Sequence, residues 1–198
     1  VCPMEGKRIV SWLPPYHDLG LIGCILTPIY YHCETLLFSP IEFLRDPLKW
    51  ILSLSEFKAN ISAAPNFAYG LVTKRYDAKR LNHVDLSGIE LLLVGAEPVR
   101  TQTMKEFSDT YACHQLQEEK ISPGYGLAEG TLVISGRKVS DPWSRLSISR
   151  NAYAQGNIVP TKILNDQMTC VGCGPVFAGH EVVIVHPETL EIVSSGHV

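Results

Sequence analysis

The 198-residue chain reads as an α/β protein, and two patterns carry that reading. Segments rich in β-branched and apolar residues alternate with segments whose apolar residues recur at helical spacing, the order that a sheet flanked by helices requires. The clearest strand candidate, residues 89–94 (IELLLV), is a continuous apolar run after Glu90, which implies burial on both faces, as in a parallel sheet.

Each element follows from local chemistry. Residues 8–13 (RIVSWL) have strand character, and Pro14-Pro15 stops them. Residues 19–31 are apolar with glycines and are expected to form a buried helix. Residues 34–39 (ETLLFS) read as a short strand. Asp46 is expected to cap a helix whose first position is Pro47 and which runs to about residue 57, with Trp50, Ile51, Leu54 and Phe57 at helical spacing. Residues 60–63 read as another strand, and Pro65 opens a helix to about residue 76 that carries Phe67, Leu71 and Val72. After the 89–94 strand and Gly95, a helix is expected over 101–111 with Met104, Phe107, Ser108 and Tyr111 on its inner face. Residues 121–123 lead into Tyr125-Gly126, and 131–135 (TLVIS) form a further strand candidate. Residues 137–169 are polar with weak periodicity and read as an irregular insertion or long loop. Residues 181–185 and 190–193 are expected to pair as a hairpin across the 186–189 turn.

Composition narrows the function classes. The chain is 45% hydrophobic and 19% charged, which is globular rather than disordered. Its net charge is -3 with no basic block, so a nucleic-acid partner is not expected. The most apolar stretch, 19–31, is too short for a membrane span and contains Pro28. Six cysteines (Cys2, Cys24, Cys33, Cys113, Cys170 and Cys173) lack a regular framework and sit mostly in apolar surroundings, which implies reduced thiols in an intracellular, cytoplasmic protein. Cys170 and Cys173 have metal-ligand spacing, and His180 and His186 complete a set on paper. A structural zinc site normally takes two such pairs, so ordinary cysteines are the expectation. The chain begins at Val1 and ends at Val198 after Ser-Ser-Gly, and both ends are expected to be cuts inside a larger domain.

Familiar nucleophile and nucleotide motifs are absent. There is no G-x-S-x-G elbow and no G-x-x-x-x-G-K-[ST] loop, and Glu129 stands where a Rossmann fingerprint beginning at Gly124 needs its third glycine. Three other segments join loops to strand ends: residues 12–20 (WLPPYHDLG), 95–98 (GAEP) and 125–131 (YGLAEGT). Ligands of open α/β sheets bind beyond the carboxyl ends of the strands. Small residues let backbone approach a flat ring, Tyr125 offers a stacking face, and Glu129 offers a carboxylate for a divalent metal beside phosphates. Each feature also has a plain structural reading: a tight strand exit at Gly95-Ala96, a core aromatic at Tyr125, a solvated charge at Glu129, and a His17–Asp18 hydrogen bond.

Taken in order, residues 11–23 (SWLPPYHDLGLIG), 26–30 (LTPIY), 39–50 (SPIEFLRDPLKW), 64–69 (APNFAY), 84–90 (VDLSGIE), 95–100 (GAEPVR) and 125–132 (YGLAEGTL) resemble the adenylate-forming ligases, and most closely the fatty acyl-AMP ligases. The resemblance implies part of the large N-terminal domain of such a ligase, a partial AMP-binding domain over residues 1–198 with mixed sheets flanked by helices. It implies that Gly95, Ala96, Glu97, Tyr125, Gly126, Leu127 and Ala128 contact AMP or ATP, that Glu129 binds Mg²⁺, and that His17 stands at the mouth of an acyl pocket lined or bordered by Asn66, Phe67 and Tyr69. Glu129 and His17 would be the catalytic residues. Ala128 stands where the wider superfamily often has a phosphate-binding Thr, as is usual in the fatty acyl branch. Residues 137–169 fall where the family carries an insertion that restrains the C-terminal domain and disfavours thioester formation with coenzyme A. His186 replaces an expected Asp, and Gly70 a longer residue. The phosphate loop would lie upstream, and the ribose-binding motif and catalytic Lys downstream.

The implied reaction is attack of a fatty acid carboxylate on the α-phosphate of ATP, giving acyl-AMP and pyrophosphate, with later transfer to an acyl carrier protein. A carboxylate is already ionised at neutral pH, so no strong base is needed. The demand falls on neutralising charge at phosphorus. The alternatives are an acyl-CoA ligase of the same superfamily and a non-catalytic domain that binds adenylate or acyl chains.

Overall fold

A computed structural model describes residues 4–139 and 141–197; Cys2 and Ser140 lie outside them. Six strands form one sheet in the order β2-β1-β3-β4-β5-β6. They are β1 (Arg8–Ser11), β2 (Glu34–Leu37), β3 (Ile61–Pro65), β4 (Leu91–Gly95), β5 (Ile121–Gly126) and β6 (Val133–Gly136). The first five run parallel, and β6 is antiparallel to β5. The α/β expectation holds, in a mixed sheet.

Register decides where the loops emerge. Pro65 lies opposite Gly95, and Val94 opposite Pro123. The carboxyl ends of β3 and β4 are therefore flush, β5 runs two residues further to Gly126, and the segments that follow leave on the same side. Val10 pairs with Ser62, which brings the loop after β1 to the same end of the sheet.

The helices are α1 (Thr27–Tyr30), which continues a π-helical stretch over Leu19–Leu26, then α2 (Pro40–Arg45), α3 (Leu48–Glu56), α4 (Asn66–Lys74) and α5 (Thr101–Tyr111). Helix α2 is an addition to the sequence reading. Its start is a capping box: Ser39 Oγ accepts from Ile41 N at 3.1 Å, and Ser39 N donates to Glu42 Oε2 at 3.3 Å. Helix α3 begins one residue later than expected, with Pro47 at the cap, and the Asp46 carboxylate instead accepts from the two terminal guanidinium nitrogens of Arg80 at 3.0 and 2.7 Å. The inner face of α5 is as expected, with Met104, Phe107, Ser108 and Tyr111 all buried.

The core is an aromatic chain laid along the helices. Trp12 stacks on Phe43 at 3.8 Å between ring centroids, Trp50 meets Tyr69 edge-on at 5.3 Å, Tyr69 meets Phe107 at 4.9 Å, and Phe107 meets Tyr111 at 4.8 Å. Two of its polar tips are paired, Trp50 Nε1 donating to Ser62 Oγ at 3.0 Å and Tyr111 OH to Val72 O at 3.1 Å, whereas the buried Trp12 Nε1 has no partner among the described residues.

Three expectations are corrected. The helical run 19–31 is apolar all round but packs on one side only; Leu19, Gly20, Cys24 and Pro28 are buried, while Ile29 and Tyr30 are exposed. Residues 137–169 are only partly irregular. They hold β7 (Arg145–Ser149) and α6 (Arg150–Tyr153), and β8 (Gln167–Val171) pairs antiparallel with β7. This unit is anchored to the main sheet because the Arg137 guanidinium donates to the carbonyls of Glu119 at 2.7 Å and Ile121 at 2.5 Å, and Trp143 Nε1 donates to Ile121 O at 2.9 Å. Residues 181–185 and 190–193 do pair across the 186–189 turn, through the antiparallel bridge Val185 to Ile192 and Val193 N donating to Ile184 O at 3.0 Å, but they form no extended strands; Val182 and Val183 are exposed, so no packed face supports a longer ladder.

Candidate functional site

A cavity of about 410 Å³ opens at the carboxyl ends of the parallel strands. Tyr16, His17, Asp18 and Leu19 enter it from the loop after β1, Gly95 and Ala96 from the end of β4, and Gly124, Tyr125, Gly126, Leu127 and Ala128 from β5 and the turn beyond. The parallel pairing of β4 with β5 is what brings the last two groups together.

Two glycines make this geometry possible. A Cβ on Gly20 would collide with the Pro14 carbonyl oxygen, so only glycine lets the Pro14–Asp18 turn fold back against the helix start and present His17. A Cβ on Gly126 would collide with the Leu132 carbonyl oxygen across the β5–β6 pair, where the register slips between Tyr125 and Gly126.

The side chains divide clearly. Tyr125 is 48% exposed and stacks on no other ring among the described residues. His17 is half-exposed, with Nδ1 at 2.6 Å from Asp18 Oδ1, and Asp18 Oδ1 also accepts from Leu19 N at 2.7 Å. Ala96 has φ +62°, in the left-handed region that an L-residue adopts only under constraint.

A second cavity of about 290 Å³ adjoins the first, since His17, Leu19 and Ala96 line both. Its remaining walls are almost wholly apolar: Trp12, Leu13, Pro14, Pro40, Leu44, Pro65 and Phe67. Of the residues expected around an acyl pocket, His17 and Phe67 are here. Trp12, Leu13, Pro40, Leu44 and Pro65 were missed as lining residues, although they lie within the motifs that carry the resemblance.

Other expected site residues stand elsewhere. Asn66 and Glu97 line a third cavity of about 470 Å³ between α4 and α5, with Phe67, Gly70, Lys74 and Arg100. Tyr69 lines none of these cavities. It is fully buried in the core, its hydroxyl donates to Leu93 O at 2.9 Å, and desolvation pushes its ionisation far above the normal phenol range. Glu129 is exposed on a short 3-10 turn (Ala128–Gly130) just beyond the first cavity's wall, with no hydrogen-bond or ionic partner among the described residues. Among those residues, no three His, Cys, Asp or Glu side chains gather as a metal cage, Cys170 and Cys173 included, and no helix is long and apolar enough to cross a membrane.

A profile of the AMP-binding enzyme family matches residues 2–198. The chain is 33% identical over 183 residues to a medium-chain-fatty-acid–[acyl-carrier-protein] ligase, JamA, of Moorena producens, covering 91% of this chain and 31% of that one. It is 38% identical over 159 residues to a long-chain-fatty-acid–AMP ligase, FadD28, of Mycobacterium tuberculosis, covering 80% of this chain and 27% of that one. Among solved structures, a fatty acid AMP ligase from Legionella pneumophila superposes with TM-score 0.91 at 35% identity, covering 98% of this chain and 34% of that one. A fatty acyl-adenylate ligase from L. pneumophila in complex with acyl adenylate and pyrophosphate gives TM-score 0.90 at 36% identity, with 96% and 33% coverage. The chain thus spans about a third of the length of these relatives. With the profile running through all the strand-end loops that form the cavity, the chain belongs to the AMP-binding enzyme family.

Proposed function

We propose that the full-length protein activates a fatty acid with ATP, releasing pyrophosphate and forming acyl-AMP, and then passes the acyl group to an acyl carrier protein. The observation that carries the reading is the pair of adjoining cavities. One has small-residue backbone and a half-exposed tyrosine, the other is an apolar slot, and they share His17 and Ala96. A molecule with a flat base at one end and a hydrocarbon at the other fits that pair.

In this reading Gly95, Ala96, Tyr125, Gly126, Leu127 and Ala128 hold the adenylate, and Tyr125 supplies the stacking face. Phe67 and Trp12 border the acyl chain, and His17 stands where the two substrates meet. Bringing a carboxylate to a phosphate requires charge neutralisation more than a base. Glu129 is suited to Mg²⁺, which typically takes one or two carboxylates together with substrate phosphates rather than a protein cage. Bound there, the ion would offset phosphate charge. Residues 137–169 then act as the family insertion, and the free cysteines suit a reducing cytoplasm.

The test is ATP–pyrophosphate exchange by the full-length protein with fatty acids, beside the Glu129→Ala variant. Exchange is expected in the wild type and a drop of about a hundredfold in the variant, with little change in thermal stability because the side chain is exposed. Undiminished exchange in Glu129→Ala removes the metal assignment. No exchange with any acid favours a non-catalytic binding domain, and offering coenzyme A beside carrier protein separates the acyl-CoA ligase reading.

A further inference from the structure

We propose that Glu97 is a positioning residue that clasps the β4–α5 loop to the start of α4 and so holds the wall shared by the nucleotide cavity and the acyl slot. The proposal rests on the functional reading of those two cavities given above.

Helix α4 begins without a side-chain cap of its own and with no acidic residue in its first turn. Glu97 supplies both from another segment: its Oε1 accepts from Phe67 N, in that first turn, at 2.5 Å. A carboxylate satisfies an orphan amide there and opposes the positive end of the helix. Helix α5 has the same deficiency, with Arg100 at its cap and no side-chain bond there. Asn66, nearly buried, supplies it: its Oδ1 accepts from Arg100 N at 2.9 Å. Each helix start is thus capped from the other: α4 by Glu97 in the loop leading into α5, and α5 by Asn66, the first residue of α4.

Ala96 sits at the hinge of this clasp, one residue before Glu97, at φ +62°. An L-residue stays in that conformation only where its surroundings impose it. Ala96 lines both cavities, and Phe67, whose amide Glu97 holds, lines the apolar slot. Release of Glu97 frees Ala96 to relax and moves a wall common to both substrates. Glu97 itself is absent from the lining of the nucleotide cavity, so its effect runs through its neighbours.

The experiment is pyrophosphate exchange by full-length wild type, Glu97→Ala, Glu97→Gln and Asn66→Ala, varying ATP and fatty acid separately, with hydrogen exchange at the Phe67 amide measured in parallel. Losing one charge-assisted hydrogen bond should raise KM for ATP and KM for the acid together, each about tenfold, with kcat changed less. Glu97→Gln keeps an acceptor and should recover most of both. Asn66→Ala should move both KM values in the same direction. A rise in the ATP KM alone, or in neither, overturns the proposal, as does failure of Glu97→Gln to rescue. If the wild type shows no exchange, the functional reading fails instead. The clasp is then judged on the Phe67 amide, which must exchange faster in Glu97→Ala; unchanged protection overturns it.

Discussion

Replacing Tyr125 with Ala separates binding from folding because the ring is only half covered and pairs with no other ring among the described residues. Complete burial of a large apolar side chain stabilises a protein by about 1.5–3 kcal/mol, so the covered half contributes roughly 1 kcal/mol. Stacking an aromatic ring on a base contributes about 1–3 kcal/mol, equivalent to a factor of roughly 5–150 in affinity. The Tyr125→Ala variant of the full-length protein should therefore melt slightly lower, and its KM for ATP should rise by about 5–150-fold. The KM for the fatty acid should stay within about twofold, because Tyr125 lines the first cavity and not the apolar slot. Tyr125→Phe keeps the ring and should behave like wild type. Steady-state exchange at varied ATP, with calorimetric melting of each variant, measures both quantities. An unchanged ATP KM in a folded Tyr125→Ala protein refutes the stacking role.

Two further substitutions test the scaffold. The Arg80 guanidinium, chiefly by its hydrogen bonds, holds the Asp46 carboxyl below its usual range. A depressed folded-state value stabilises above the ordinary carboxylate range and is lost as pH falls through the depressed value. Both side chains are substantially exposed, so solvent screening limits the pair to about 0.2–1 kcal/mol. Urea unfolding should show Arg80→Ala weaker by that amount near pH 7, with the gap closing below about pH 4; a gap that persists in acid contradicts the ion-pair account. Tyr69→Phe removes the hydroxyl bond to Leu93 O and should cost about 1 kcal/mol of stability without altering KM for the acid, since Tyr69 is fully buried and lines none of the three cavities described. A changed acid KM would return Tyr69 to the acyl pocket.

Much of the fold was legible because the signals are local. Helix α5 declared its inner face through Met104, Phe107, Ser108 and Tyr111, and the apolar run at β4 declared burial in a parallel sheet. The lining of the first cavity was legible where a motif is a contiguous loop, as at 95–96 and 125–128. It failed where a linear motif was read without its helix. Phe67 and Tyr69 are two residues apart on α4, about 200° around the axis, so they face opposite ways. Phe67 borders the slot and Tyr69 enters the core. Glu97 was grouped with Gly95 and Ala96, but after the left-handed Ala96 its carboxylate reaches α4. The apolar slot was hidden for another reason: Trp12 after β1, Pro40 and Leu44 on α2, and Phe67 on α4 come from three segments that only the tertiary fold brings together. The β7–β8 ladder was missed because its strands are separated by a long polar connection and only Ile148 among its residues is buried, which leaves no period-2 pattern to read.

The account stands on two loops closing around one nucleotide base. A crystal structure of the full-length protein with a non-hydrolysable acyl-adenylate analogue tests it most directly. The predicted result is the adenine against Ala96 and Tyr125 with the hydrocarbon in the slot between Trp12 and Phe67. Adenine density outside that cavity, or an acyl chain lodged elsewhere, would contradict it.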